Sequence, residues 1–217
     1  MLSKNEEDYL KGLYQLISIQ TENKVGTNQL AQQLDVTPAS VNNMLKKLKT
    51  KLLVDYKPYG KIELTEEGKT IAVDLVRKHR LWESFLYEKL DFSWDEVHEV
   101  AEQLEHIKSD KLIEKLDLFL GHPKFDPHGD PIPDKEGNIS KIGKKTLAEI
   151  PSGSVCRLVS VKDNSAAFLQ YVSQIGLQLK SQIKVINRQD FDNSLLIEID
   201  GNKVSVSEKF CLNIFVI

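Results

Sequence analysis

Cysteine is scarce in this chain, which has 2 cysteines among 217 residues. The absence of any Cys-x-x-Cys pair excludes the common zinc sites built from thiolates. Cys156 and Cys211 both fall in apolar segments near the C-terminus. That setting is typical of buried free thiols in a reducing compartment, and a single disulfide between the two remains an alternative.

Long apolar runs are also missing. No segment approaches the roughly 18 consecutive apolar residues that a membrane-spanning helix requires. The first eight residues include acids and lack the apolar core of a signal peptide. We therefore predict a soluble cytoplasmic protein with no membrane partner, and a hydrophobic content of 41% is enough to bury a core.

The net charge of −3 conceals two segments of opposite charge. Residues 24–61 carry seven lysines against two aspartates, whereas residues 82–117 carry eleven acidic residues against four lysines. A basic surface favours a polyanion, and an acidic surface favours cations. The two halves of the sequence therefore predict two different kinds of binding surface.

The basic segment contains a helix-turn-helix pattern over residues 27–49. Thr27 is a plausible N-cap of the first helix, and Thr37 of the second, where Pro38 occupies the first position at no cost in hydrogen bonding. Strands at 53–56 and 61–64 predict a β-hairpin wing. Polar side chains on the second helix and the wing turn predict contacts with base edges and phosphates of double-stranded DNA. The predicted DNA-contacting residues are Thr37, Ser40, Asn42, Asn43, Lys46, Lys47 and Lys57.

Histidines and carboxylates recur at helical spacings between residues 79 and 106. His79 and Glu83 are four residues apart and share one face of a predicted helix over 66–90. A second stripe borders the apolar face of the next helix, and imidazoles and carboxylates that meet at a helix seam form divalent metal sites. A solvated acidic face is the alternative interpretation of this stripe. The second stripe consists of His98, Glu102, Glu105 and His106.

The rest of the chain divides into a helix, a linker and a β-rich segment. A helix at 109–120 has more apolar surface than one short helix needs, which favours a dimer interface. Residues 121–143 are rich in proline and glycine and predict a linker that holds two more potential ligands, Asp126 and His128. From about residue 146, several short strands and the turn Asp200-Gly201-Asn202 predict a small barrel.

These motifs resemble the diphtheria-toxin-repressor family of metal-dependent transcriptional repressors, and the resemblance spans the whole chain. It is carried by Glu7-Asp8-Tyr9-Leu10, Arg77-Lys78-His79-Arg80-Leu81 with Glu83, Val97-His98 with Glu102-x-x-Glu105-His106, His128-Gly129-Asp130-Pro131-Ile132-Pro133 and Ile175-Gly176-Leu177. The resemblance implies an α+β chain with three domains. These are a winged helix-turn-helix domain at 1–72, a helical metal-binding and dimerisation domain at 73–143, and an SH3-like domain at 144–217.

The resemblance also implies a ligand set for two metal sites in each subunit. Asp8 would join the stripe at Glu102, Glu105 and His106, and Asp163 would add a ligand from the barrel. A glutamate at position 102 together with Asp8 is similar to the manganese-type branch, and hard oxygen donors suit Mn²⁺. Some manganese-type members have a glutamate where this chain has Lys11. This difference argues against a closely spaced pair of metal ions of the kind that those members hold. The complete predicted set is Asp8, His79, Glu83, His98, Glu102, Glu105, His106, Asp126, His128 and Asp163.

The sequence therefore predicts a homodimeric, Mn²⁺-activated repressor of metal-uptake genes that binds operator DNA and is not an enzyme. Three alternatives stay open. Fe²⁺ could be the activating ion in place of Mn²⁺. A metalloenzyme would need an open coordination position and a placed acid or base, and no nucleophile motif is evident. A metal-independent DNA-binding protein would leave the acidic helix facing solvent.

Overall fold

The computed structural model describes residues 2–19, 25–56, 61–140 and 143–217. It contains helices and antiparallel strands, which confirms the predicted α+β class. The chain divides into two compact units. Unit 1 comprises Met1–His79, Leu104–Ser109 and Pro133–Asn138, and unit 2 comprises Arg80–Gln103, Asp110–Ile132 and Ile139–Ile217.

Three helices build the DNA-binding part of unit 1, namely α1 (Lys4–Ile19), α2 (Thr27–Gln33) and α3 (Pro38–Thr50). Their apolar faces meet in one core, where Leu10, Leu30 and Leu45 are fully buried. As predicted, the Thr37 hydroxyl accepts the backbone N–H of Ser40 at 3.2 Å and caps α3.

The predicted cap of α2 is displaced by one residue. Thr27 is the first residue of the helix, and Gly26 is its N-cap. The Gly26 N–H donates to the Gln29 side chain at 2.9 Å, so the glutamine three positions into the helix satisfies the free donor.

The predicted wing consists of two short antiparallel strands, β1 (Val54–Tyr56) and β2 (Ile62–Leu64), with Tyr56 opposite Ile62. The turn at 57–60, including the predicted DNA contact Lys57, lies outside the described residues.

Helix α4 (Glu66–Leu90) begins in unit 1 and continues into unit 2. Helices α5 (Val97–Leu104) and α6 (Asp110–Phe119) follow it. The prediction that one helix carries the whole second stripe is wrong at its end, because α5 stops at Leu104 and Glu105 and His106 lie in the following turn. Ser93 lies in a turn that precedes α5, and its carbonyl accepts the Val97 N–H at 3.3 Å.

The C-terminal part of unit 2 is a six-stranded antiparallel sheet with a hydrophobic core of its own. The strands lie in the order β3-β8-β4-β5-β6-β7. Asp200 and Gly201 have φ angles of 47° and 82°, as the predicted two-residue hairpin turn requires. The elements are β3 (Lys145–Thr146), a 3₁₀ turn (Leu147–Glu149), β4 (Val155–Val161), α7 (Ala166–Gln174), β5 (Gln182–Arg188), β6 (Leu195–Ile199), β7 (Asn202–Val206), α8 (Glu208–Cys211) and β8 (Ile214–Val216).

Both cysteines are buried in this core as free thiols, so the disulfide alternative is wrong. Burial raises the pKa of Cys156 and of Cys211 to about 11. These thiols are therefore protonated at neutral pH and pack as small apolar groups. No helix in the described ranges is long and apolar enough to cross a membrane.

Candidate metal centres and DNA-binding surface

The first group of metal donors lies in unit 1, and we name it the Glu105 cluster. One donor atom from each of Asp8, Glu105 and His106 lies within 4.8 Å of the other two. Asp8 projects from α1, and Glu105 and His106 come from the turn after α5. The Glu105 side chain has no solvent exposure, so its carboxylate must be compensated by neighbouring charge or hydrogen bonds.

His106 is oriented by a carboxylate outside this donor group. Its Nδ1 lies 2.7 Å from Oε2 of Glu7, while its Nε2 lies 3.1 Å from Oδ1 of Asp8. A histidine that binds a metal usually donates its second ring N–H to a carboxylate or carbonyl, which fixes the tautomer and the ring orientation. Glu7 therefore leaves Nε2 of His106 as the atom that faces the other donors.

Lys11 and His79 complete the surroundings of Glu105. The Lys11 ammonium lies 2.7 Å from each Glu105 oxygen, and Nδ1 of His79 lies 2.6 Å from Oε2. Lys11 and His79 are both buried. Unit 1 thus places the predicted ligand His79 beside Glu105, and it places a fixed positive charge there as well.

The second group of donors lies in unit 2, and we name it the His128 cluster. It consists of Glu83, Asp126 and His128, whose donor atoms also lie within 4.8 Å of one another and whose side chains are all buried. His98 joins it at the solvent side, with Nδ1 3.2 Å from Oε1 of Glu83. Arg80 lies 3.4 Å from Asp126 and supplies a positive charge to the otherwise anionic group.

His128 is held with one ring nitrogen towards the acids. Its Nε2 donates to the Trp94 carbonyl at 3.0 Å, and its ring stacks on the indole at 5.9 Å between centroids. The Trp94 indole N–H donates in turn to the carbonyl of Pro127. These contacts leave Nδ1 of His128 facing Glu83, at 3.7 Å from Oε2.

The His128 cluster retains protons when it holds no cation. Burial, followed by the nearby charge of Glu83, raises the pKa of Asp126 to about 7. Burial lowers the pKa of His128, but the hydrogen bond and charge of Glu83 outweigh it and raise that pKa to about 9. A divalent cation bound by these residues would replace the protons, as ligation by imidazole and carboxylate requires.

Four predicted ligands fall outside the residues that define the two clusters, and two of them, His79 and His98, contact Glu105 and Glu83 as described above. Glu102 is half-exposed in unit 2, with Oε1 3.7 Å from Nε2 of His98. Asp163 lies between β4 and α7, where its carboxylate accepts the Ser165 N–H at 2.9 Å. A ligand role for either residue stays a prediction.

Four residues that contact these clusters were not predicted from the sequence. They orient the ligands or compensate their charge and are not members of the donor groups. The closest approach to a sequence signal was the departure noted at Lys11. No local pattern pairs a lysine with a glutamate that is 94 residues away. The four residues are Glu7, Lys11, Arg80 and Trp94.

The outer face of α3 carries most of the predicted DNA contacts. Thr37, Ser40, Asn43, Lys46 and Lys47 are exposed. The two asparagines differ, because Asn42 is only half-exposed and its Oδ1 accepts the Tyr56 hydroxyl of the wing at 2.5 Å. Asn43 is therefore the asparagine whose whole amide is available to a base edge.

Three family models match successive parts of the chain. The family "Iron dependent repressor, N-terminal DNA binding domain" matches residues 1–62. "Iron dependent repressor, metal binding and dimerisation domain" matches residues 65–134, and "FeoA domain" matches residues 145–217. A solved structure described as a manganese-dependent transcriptional repressor in complex with manganese is 34% identical, with a TM-score of 0.85, and the match covers 98% of this chain and 99% of that one.

The chain belongs to the diphtheria-toxin-repressor family. Among its relatives, an uncharacterized HTH-type transcriptional regulator of Methanocaldococcus jannaschii is 37% identical over 119 residues, which cover 55% of this chain and 94% of the relative. The diphtheria toxin repressor of Corynebacterium glutamicum is 26% identical over 215 residues, which cover 92% of this chain and 90% of that protein.

Membership of the diphtheria-toxin-repressor family decides the broad function. The protein is a metal-dependent transcriptional repressor that binds operator DNA and dimerises. The family consists of DNA-binding repressors and not of enzymes, so the metalloenzyme alternative is wrong. Leu90 at the end of α4 and Leu118 and Phe119 of α6 are exposed, and exposed apolar side chains of this size suit an interface between subunits.

Proposed function

We propose that Mn²⁺ activates this repressor, that each subunit holds one ion in the Glu105 cluster and one in the His128 cluster, and that the regulated genes serve metal uptake. The protein would act in the cytoplasm, where its operator lies. We also keep 1–72, 73–143 and 144–217 as the limits of the three functional domains.

The donor chemistry is the observation that carries the choice of metal. Both clusters offer carboxylate oxygens and imidazole nitrogens. Both cysteines are buried in the core of the C-terminal sheet, and their thiols stay protonated at neutral pH. Hard oxygen donors favour Mn²⁺ over metals that prefer thiolates.

Coupling to DNA would run through α1. Asp8 lies on α1, and α1 packs against α2 and α3 in the core of unit 1. Glu105 and His106 belong to the segment that follows α5. Without a cation, the carboxylates of Glu7, Asp8 and Glu105 repel one another, and a bound ion would supply the positive charge that holds them together. The ion would thereby favour one position of α3, suited to a major groove of the operator.

Lys11 supports one ion, and not a close pair, in the Glu105 cluster. Its ammonium already contacts both oxygens of Glu105. A second cation in contact with the same carboxylate would meet this fixed charge at short range, which is unfavourable in a buried site. We therefore assign the second ion of each subunit to the His128 cluster.

The decisive experiment is an anaerobic titration of operator binding with Mn²⁺, Fe²⁺ and Zn²⁺, each repeated with excess chelator. We expect Mn²⁺ to activate at the lowest free concentration and chelator to abolish binding. Activation by Fe²⁺ at lower concentrations than Mn²⁺ would favour the iron-dependent alternative. Chelator-insensitive binding would contradict the whole proposal.

Replacing Glu102 by cysteine should change the order in which metals activate the repressor. The exchange puts a soft donor where we predict a hard one, so activation should move from Mn²⁺ towards Fe²⁺ and thiophilic metals. The same titration measures the order, with Glu99→Cys on the exposed side of α5 as the matched control. An unchanged order in both variants would exclude residue 102 from the ligand set.

The DNA surface of α3 predicts two different mutational effects. Asn43→Ala should reduce discrimination between the operator and altered operators by about 1–3 kcal/mol, because an amide that pairs with a base edge is lost. Lys47→Ala should lower the affinity for all DNA sequences alike, because a phosphate contact is lost. It should also reduce the magnitude of the slope of log affinity against log salt concentration by about 1. Binding titrations on operator and random DNA at several salt concentrations separate these effects, and identical behaviour of the variants would refute this placement of α3.

A further inference from the structure

The loop that carries His128 is held from two sides within unit 2. On one side, Trp94 contacts it through its indole N–H, its ring and its carbonyl. On the other side lies β4 of the C-terminal sheet, where the Val161 N–H donates to the His128 carbonyl at 3.0 Å. The backbone of a metal donor is thus hydrogen-bonded directly to a strand of another domain.

The residue after His128 allows this strand to approach. Gly129 has a φ of +81°, and a Cβ at this position would lie 1.8 Å from the Val159 carbonyl oxygen and 2.6 Å from Cα of Ser160. Both neighbours are backbone atoms, so no side-chain rotation could relieve the overlap. A larger residue at 129 would have to push β4 away from the loop.

The strand and the loop each have hydrogen bonds of their own in this region. Ser160 is fully buried, and its hydroxyl accepts a hydrogen bond from the Lys144 ammonium at 2.8 Å. The Asp126 carboxylate accepts two backbone N–H groups of its own loop, from His128 at 2.8 Å and from Asp130 at 2.9 Å. The loop is therefore a small hydrogen-bonded turn, and it meets β4 at His128 and Gly129.

We infer that β4 of the C-terminal domain positions His128, so that the affinity of the His128 cluster for its metal depends on contact between Gly129 and the backbone of Val159–Val161. This inference rests on the proposed function of the cluster. It gives the C-terminal domain a role that needs no side-chain ligand from it. Gly129 and Val161 are positioning residues in this scheme.

The test compares two glycine variants in the full-length chain. Gly129→Ala and the control Gly121→Ala introduce the same methyl group at similar positive φ angles, +81° and +73°, but nothing lies within 4 Å of a Cβ at 121. Calorimetric titration should show that Gly129→Ala lowers the affinity of the His128 cluster for Mn²⁺ at least ten-fold, as expected when a contact that positions a ligand is lost. Gly121→Ala should change this affinity less than two-fold, and both variants should keep the natural affinity of the Glu105 cluster for Mn²⁺. Equal affinities in the two variants would overturn the inference.

A second variant identifies the ion being measured. Glu83→Gln should remove one of the two Mn²⁺ ions from an otherwise normal titration. If it leaves both ions in place, the proposed second site fails, and this inference fails with it. If one ion is lost but Gly129→Ala binds Mn²⁺ normally, the inference alone is wrong.

Hydrogen exchange in the unmodified chain gives an independent reading should Gly129→Ala fail to fold. Filling the His128 cluster should hold the loop more firmly and slow exchange of the Val161 amide, because that N–H donates to the His128 carbonyl. Mn²⁺ should slow this exchange at least three-fold in the natural chain and leave it unchanged in Glu83→Gln. Exchange that Mn²⁺ does not alter in the natural chain would overturn the inference.

Discussion

Asp8→Ala should lose metal-activated operator binding while it remains a folded dimer. Asp8 contributes an oxygen to the Glu105 cluster from α1, the helix that packs against the recognition helix α3. We expect the Mn²⁺ concentration needed for activation to rise at least about 100-fold, since loss of outer-shell partners alone costs roughly 10–100-fold in metal affinity. The measurements are operator binding against free Mn²⁺ and sedimentation of the same protein.

Asp74→Ala is the matched control for this prediction. Asp74 is another aspartate of unit 1, about half-exposed on α4, where it pairs with Lys78 at 2.6 Å, and it belongs to neither donor group. Its replacement should change neither activation nor the dimer. Full activation of Asp8→Ala by Mn²⁺ would show that α1 takes no part in the response to metal. Loss of the dimer would show that the subunit interface lies nearer to α1 than we propose.

Lys11→Met should cause a large loss of stability. The substitution keeps an unbranched chain of similar length but leaves the buried Glu105 carboxylate without the ammonium that contacts both of its oxygens. Breaking a buried ion pair from one side costs about 3–5 kcal/mol, because the remaining charge stays buried. The free energy of unfolding, measured by urea denaturation with chelator present, should fall by that amount.

Addition of Mn²⁺ should recover part of the loss, because an ion bound by the cluster restores positive charge beside Glu105. Lys135→Met provides the control, since that ammonium pairs with Glu136 at 3.7 Å and the two side chains are 78% and 60% exposed. An exposed pair contributes about 0–1 kcal/mol, so the control should remain close to the natural chain. Equal losses in the two variants would show that the Lys11–Glu105 pair does not compensate a buried charge.

Much of the local structure was predictable because it depends on neighbouring residues. Thr37 and Pro38 define the start of α3 through capping and a fixed backbone angle, and both predictions are confirmed. The hairpin at Asp200-Gly201 follows from the positive φ angles that its turn needs. The family resemblance likewise depends on short motifs that can be recognised in the sequence without knowledge of the fold.

Predictions based on helical periodicity failed where the chain leaves the helix. The stripe from His98 to His106 was treated as one face, yet α5 ends at Leu104. Glu105 then lies in a turn, where its buried carboxylate contacts Lys11 and His79. Periodicity describes which residues share a face, and it contains no information about the point at which packing ends a helix.

By itself, the sequence determined most of the helices and strands, the cap of α3, the hairpin turn at Asp200-Gly201 and the kinds of donor available to a metal, because each of these follows from residue type and local spacing. Only the tertiary structure decided that His79 lies beside Glu105, that Glu7 orients His106, that Lys11 compensates Glu105, and that Gly129 allows β4 to approach the loop. These contacts join residues up to 99 positions apart. Their geometry is set by how the hydrophobic cores pack, and no local pattern in the chain specifies it.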